Sequence, residues 1–483
     1  MNSIAHLDLP VAVIGAGPVG LAAAAHFVQR GLRPLVFERG ASAGASVQDW
    51  GHVRVFSPWR YNIDTSARAL LERSGWQPAA PDHLPTGAEF VRDYLAPLAA
   101  LPEIAPNMKL DTAVTAITRL GHDKMSNTGR EDAPFVVHYR DAAGEHRVLT
   151  RAVIDASGTW SRPNPIGVDG LAVPGEAAAA DRIAYGIPDV AGLARGDYAG
   201  KRVLVIGGGH SAINVALALL VLQEDALATE IFWALRRDRI DKLLGGGLND
   251  QLPERGALGL AAQAAIGEGR VNMLAPFAVE RIEGRGAGLL VEARLDDRPF
   301  SLDVDRIVAA AGFRPDLSIL GELRVALDPA VEAPPALAPL IDPNFHSCGT
   351  VPPHGINELS HPEPGFFIVG SKSYGRAPTF LMATGYEQVR SVVAELAGDH
   401  VAARQVQLVL PETGVCFAPP VVGAGEAAAS ECCGGAAPAG TDACCAKDAD
   451  AKARGEEGCG CAKNAAPAER ASAPRAACCR SAA

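Results

Sequence analysis

Two glycine-rich turns, each set between an apolar strand and an apolar helix, constrain the fold of this 483-residue chain more than any other feature. The first unit reads as a strand (residues 11–14), the turn Gly15-Ala16-Gly17-Pro18-Val19-Gly20, an alanine-rich helix, and a strand from Pro34 to Phe37 that ends at Glu38. The second repeats that order: a strand from Arg202 to Ile206, the turn Gly207-Gly208-Gly209-His210-Ser211-Ala212, a helix through Leu222, and a strand from Ile231 to Leu235. Each position in such a turn has a mechanical reason. One glycine makes the tight turn, a second lets a pyrophosphate approach the backbone, and a small third residue lets the helix pack on the strand, with the helix N-terminus facing the phosphates. The units also close alike, at Val153-Ile154-Asp155-Ala156-Ser157-Gly158 and at Asp305 through Gly312.

The spacing therefore predicts an α/β chain with two Rossmann-like, three-layer dinucleotide-binding domains. The first unit is the longer. Its extra residues are expected between Gly44 and Leu101, a stretch holding Trp50, His52, Trp59, Arg60, Tyr61, Asn62 and Trp76. A strand from Phe366 to Val369, then Gly370 and a helix around 384–397, return the chain to the first domain. The expected division is 1–165 with 306–415 for that domain, 166–305 for the inserted second domain, and a cysteine-rich tail over 416–483.

The tail differs in kind. None of the ten cysteines precedes Cys348, and eight are Cys432, Cys433, Cys444, Cys445, Cys459, Cys461, Cys478 and Cys479. From Ala424 to Ala483 there is no Val, Ile, Leu, Met, Phe, Trp or Tyr, so this stretch is expected to be disordered. A net charge of −11 argues against a nucleic-acid or anionic-membrane partner and leaves small molecules. No window approaches twenty apolar residues and no basic signal-peptide start is present, which points to the cytoplasm. Thiols stay reduced there, and paired cysteines chelate soft ions.

Glu38, eighteen residues after Gly20, is placed to accept hydrogen bonds from a ribose 2′-hydroxyl. The second unit carries Arg236 and Arg237 after its second strand, which suits a 2′-phosphate and hence NADPH. Glu230 takes the acid's place if that strand ends earlier than the pattern indicates. Trp50, Ser157, Gly158, Gly312 and Gly370 are the further expected cofactor contacts.

With two dinucleotide sites in one chain, the layout over residues 8–398 resembles the two-dinucleotide-binding-domain flavoproteins. These include thioredoxin reductases, flavin-containing monooxygenases and N-hydroxylating monooxygenases. The motifs that carry it are the two fingerprints, Asp155-Ala156-Ser157-Gly158 followed by Thr159-Trp160-Ser161-Arg162-Pro163, and Gly312-Phe313-Arg314-Pro315-Asp316. The resemblance implies FAD on the first unit and NADPH on the second. Disulfide reductases of this group use a cysteine pair beside the flavin, and none exists before Cys348. Monooxygenases instead transfer the distal oxygen of a C4a-hydroperoxyflavin to a substrate lone pair, and there the resemblance sets Asn62 beside the flavin. The F-x-G-x-x-x-H signature is not present, since Val190 occupies the histidine's place after Ala184-Tyr185-Gly186. The segment from Ser371 to Phe380 and the paired-cysteine tail most resemble the flavin monooxygenases of bacterial arsenic-resistance operons. That resemblance implies oxidation of trivalent arsenic or antimony, soft thiophiles that the eight tail cysteines would capture as transient metal ligands. His346, Cys348, His354 and His361 are expected at the substrate pocket, with Asn62, Cys348 and His354 as catalytic candidates. The alternative is an oxygen-independent disulfide or metal reductase that uses the tail thiols.

Overall fold

The computed structural model describes residues 8–237, 253–345, 351–378 and 380–408. The chain opens with β1 (Val11–Ile14), helix α1 (Pro18–Gln29), β2 (Pro34–Phe37) and, after a run of short helices, β3 (Met108–Lys109). β4 (Ala113–Arg119), β5 (Phe135–Asp141) and β6 (Gly144–Thr150) form a separate antiparallel sheet, and β7 (Ala152–Asp155) returns to the first. β8 (Ile183–Tyr185), β9 (Arg202–Ile206), helix α2 (His210–Asp225), β10 (Glu230–Ala234) and β11 (Asn272–Leu274) begin the second unit. β12 (Phe277–Arg285), β13 (Gly288–Leu295) and β14 (Arg298–Val304) make its antiparallel sheet, followed by β15 (Arg306–Ala309). β16 (Phe366–Ile368) and helix α3 (Met382–Leu396) end the described α/β framework.

Two five-stranded sheets organise these elements, in the orders β16-β7-β1-β2-β3 and β11-β10-β9-β15-β8, with all neighbouring strands parallel. Parallel strands are buried on both faces, which is why β1 (VAVI) and β7 (AVID) are fully buried rather than alternating. Ala22, Ala23, Ala24 and Ala25 of α1 are fully buried, and their small side chains let the helix lie close between the sheet and α3. β16 pairs with β7, so the segment after the second unit completes the first sheet, as expected for an inserted domain. The Trp-rich stretch falls between β2 and β3. It folds as short helices started by an Asp64 cap (Ala67 N–H to Oδ1, 2.8 Å) and a Thr86–Glu89 capping box, with Trp59 and Tyr94 buried among them.

Two expectations are corrected. The boundary at 305/306 falls one strand early, because β15 lies between β9 and β8 in the second sheet. The strand carrying Trp233 spans Glu230–Ala234, one residue earlier than its apolar run. Glu230 sits at its start, in register with Arg202 and ion-paired to it at 3.2 Å, so this acid is at the wrong end of the strand to meet a ribose.

His361 gives the fold a pH dependence. Its Nδ1 lies 3.1 Å from Ala326 O, its Nε2 is buried without a hydrogen-bond partner, and burial pushes its pKa down to about 4. The folded chain resists a proton that the unfolded chain accepts near 6.5, so this contribution is complete above pH 6.5 and is lost as the pH falls toward 4. About 3 kcal/mol is at stake, from about 1.4 kcal/mol per pH unit. Denaturant melts at pH 7 and pH 4.5 should show His361→Gln losing less stability on acidification than the parent.

Candidate functional site

β1 stops at Ile14, and Gly15 turns the chain with φ +97°. A Cβ on Gly15 would lie 2.8 Å from Ala156 O, and one on Gly20 would overlap Gly15 O, so the fold itself requires these two glycines. Gly17 differs. Its φ of −79° suits any residue, and a Cβ there would meet no heavy atom within 4 Å. The protein has no packing reason for a glycine at 17, but a ligand against the backbone has one. Pro18 opens α1 with no side-chain cap, leaving the first-turn amides to face whatever occupies the space ahead.

That space is a cleft of about 350 Å³ across the C-terminal ends of the strands of the first sheet. Gly15, Gly17, Pro18 and Glu38 line it on one side, and Ser157, Gly158 and Gly370 on another. Trp50 adds an aromatic wall, fixed by Gly87, where a Cβ would come 2.8 Å from the indole. Glu38 is 7% exposed and accepts the N–H groups of Ala16 and Gly40, each at 2.8 Å, through different oxygens. Each oxygen keeps a second lone pair for a hydroxyl. A glycine turn open to a ligand, a helix N-terminus and a fixed carboxylate together fit a dinucleotide such as FAD.

The second fingerprint repeats the logic. A Cβ on Gly207 (φ +145°) would overlap Ala310 O, whereas one on Gly209 would meet nothing within 4 Å. His210 and Ser211 start α2, and Ala212 is fully buried against the core, as the third small residue must be. Phe56 of the first unit packs on the His210 ring at 5.1 Å between centroids. Arg236 and Arg237 are exposed just beyond β10. Gly312 (φ +85°) lies outside the cleft wall, in the second crossing between the units. There Phe313 bridges Pro163 of the first crossing and packs, with its ring tilted, on Trp160 at 4.5 Å between centroids.

Of the three catalytic candidates, Asn62 and His354 lie elsewhere. Asn62 is 1% exposed and spends its side chain locally: Oδ1 accepts Ser57 Oγ at 2.7 Å and Nδ2 donates to Ser57 O at 2.6 Å. It is not part of the cleft wall. His354 is also buried off the cleft. Its Nδ1 lies 3.0 Å from Pro352 O and its Nε2 2.8 Å from Gln388 Nε2, which together fix the neutral Nδ1–H form, and burial holds its pKa below the usual value. Gln388 Oε1 in turn accepts the Gly370 N–H at 2.7 Å, so His354 is linked to the cleft residue Gly370 through Gln388. His346, Cys348 and the eight tail cysteines fall outside the described residues.

Sequence reasoning overlooked Lys372. This cleft residue bonds Asp155 and Ser157, and no spacing rule relates partners 217 residues apart. No helix among the described residues is long and apolar enough to cross a membrane.

A family model described as pyridine nucleotide-disulphide oxidoreductase matches residues 12–336. A ferredoxin–NADP reductase of Thermus thermophilus is 29% identical over 205 residues, 42% of this chain and 53% of the relative. One from Granulibacter bethesdensis is 26% identical over 67% of this chain and 75% of its own length. Among solved structures, the bacillithiol disulfide reductase of Bacillus cereus superposes with TM-score 0.58 at 18% identity, over 81% of this chain and 99% of that one. The cadaverine monooxygenase of Erwinia amylovora gives 0.57 at 13% identity, over 87% and 100%. The chain belongs to the pyridine nucleotide-disulphide oxidoreductase family.

Proposed function

We propose that this enzyme is a cytoplasmic monooxygenase that binds FAD in the first cleft and NADPH at the second fingerprint, and oxidises a trivalent metalloid. Arsenite, methylarsenite and antimonite are the candidate substrates. The balance is NADPH, a proton, O₂ and the trivalent species giving NADP⁺, water and the pentavalent oxide. One oxygen atom goes to the metalloid lone pair and the other leaves as water. FAD, when bound, relays the electrons and activates oxygen. The chain's residues bind and orient: Gly17 and the α1 amides take the pyrophosphate, Glu38 the ribose, and Trp50 closes one wall.

One observation carries the reading. Residues 1–347 contain no cysteine, so both fingerprints and their linkers lack the thiol pair that a disulfide reductase sets beside its flavin. The paired tail cysteines suit capture of a thiophilic metalloid on its way to the cleft. The ferredoxin–NADP reductase relatives favour a second reading, in which electrons leave to an external acceptor without oxygen.

The test is NADPH oxidation and oxygen uptake with the three metalloids, amines and sulfides. A trivalent metalloid should raise both rates together. Turnover that ignores every metalloid and persists anaerobically with ferredoxin or a disulfide would establish the second reading.

Nicotinamide selectivity follows from Arg236 and Arg237. Replacing both by alanine should raise KM for NADPH about tenfold or more while leaving NADH nearly unchanged, since only the 2′-phosphate meets these charges. Parallel KM measurements with the two cofactors check this, and equal losses would remove the pair from the site.

A further inference from the structure

Lys372 follows β16 in the 3-10 turn Gly370–Tyr374, and its side chain is only 1% exposed. Its Nζ donates to Asp155 Oδ2 at 2.7 Å and to Ser157 Oγ at 3.0 Å. Ser157 in turn donates to Asp155 Oδ1 through its N–H at 3.1 Å and its Oγ at 2.6 Å. The carboxylate is thus held from three sides. The ammonium is not, because it carries three N–H donors and two are used.

Three facts point the third donor at a ligand. Lys372 forms part of the cleft wall. Its partner Ser157 adjoins the glycine turn, since a Cβ on Gly15 would come 3.0 Å from Ser157 Cα, and Gly17 and Pro18 line the same cleft. Finally, a buried ion pair seldom stabilises a fold more than an apolar pair of equal volume, so folding alone is a weak reason for these two charges.

We propose that Lys372 holds FAD, its remaining ammonium N–H bonding a phosphate oxygen of the pyrophosphate while Asp155 and Ser157 aim it. This rests on FAD occupying the first cleft and is independent of whether oxygen or another acceptor takes the electrons. The pair also ties the end of β7 to the turn after β16, joining the two separated parts of the first sheet at the point where the cofactor lies.

The experiment uses full-length protein stripped of flavin and reconstituted, comparing the parent with Lys372→Met and with the doubly neutral variants Asp155→Asn/Lys372→Met and Asp155→Asn/Lys372→Gln. The readouts are the melting temperature of the apoprotein and the affinities for FAD and for ADP, which carries a pyrophosphate without the flavin. Lys372→Met alone should lower the melting temperature, since it strands Asp155. The double variants should recover it, yet bind FAD and ADP about 10- to 100-fold more weakly, the loss of one charge-assisted hydrogen bond. Double variants that bind both as the parent does would make the pair purely structural and overturn the proposal. Weaker FAD with unchanged ADP would overturn the phosphate assignment. A parent that binds no FAD would instead overturn the cofactor's placement.

Discussion

Gly17→Val should give a chain that melts like the parent apoprotein and retains no FAD. The backbone at 17 is extended, with φ −79° and ψ −173°, and a branched residue tolerates that conformation. Apart from the flanking residues, no protein heavy atom lies within 4 Å of the added Cβ, so the fold loses little. A dinucleotide has a great deal to lose, because its pyrophosphate must lie against this backbone, and affinity should fall at least about a hundredfold. Gly15→Ala is the contrast. Its φ of +97° and the nearby Ala156 oxygen make it costly to the fold as well, so it should lose both flavin and melting temperature. Flavin absorbance per chain and apoprotein melting curves check both.

Glu363→Ala should be among the most destabilising single changes, at about 3–5 kcal/mol. The Glu363 side chain is fully buried and accepts Arg119 Nε at 2.8 Å, Arg130 Nη1 at 2.6 and 2.7 Å, and the Arg324 N–H at 2.9 Å. Removing it strands two guanidiniums of 4% and 1% exposure. Burial alone would raise the pKa of this carboxyl, but the Arg324 amide and the two guanidiniums outweigh burial and hold it below the usual value. Its stabilisation is therefore complete above the unfolded value of 4.5 and fades as the pH falls below it. Denaturant titration should show the loss at pH 7, with the flavin content of the folded fraction unchanged, because the triad lies outside the cleft wall.

Local patterns were legible in the sequence and distant pairings were not. Both fingerprints could be read because the φ angles and close approaches that demand glycine recur at fixed spacing, and the structure gives Gly15 and Gly207 those φ angles. Glu38 was legible for the same reason, as the residue ending a strand whose start and length the turn defines. The strand Glu230–Ala234 was displaced by one residue because its apolar run continues through Leu235, while hydrogen bonding to β9 begins at Glu230. Asn62 and His354 are polar residues in aromatic or histidine-rich stretches, which draw attention to them. Their bonds to Ser57, Pro352 and Gln388 occupy those polar atoms; the first two are loop contacts within five residues and the third joins separate segments, and no periodic pattern encodes either kind. Lys372 and Glu363 carry the same lesson, since each meets partners from segments more than 200 residues away.

The most direct test of oxygen as the electron acceptor is a single turnover. The FAD-loaded enzyme is reduced anaerobically with one equivalent of NADPH, then mixed with oxygen and a trivalent metalloid, and the pentavalent product is counted per flavin. The monooxygenase reading predicts close to one product per reduced flavin, and none without oxygen. Reoxidation that yields no pentavalent product in air, yet proceeds without oxygen on adding ferredoxin or a disulfide, would contradict it.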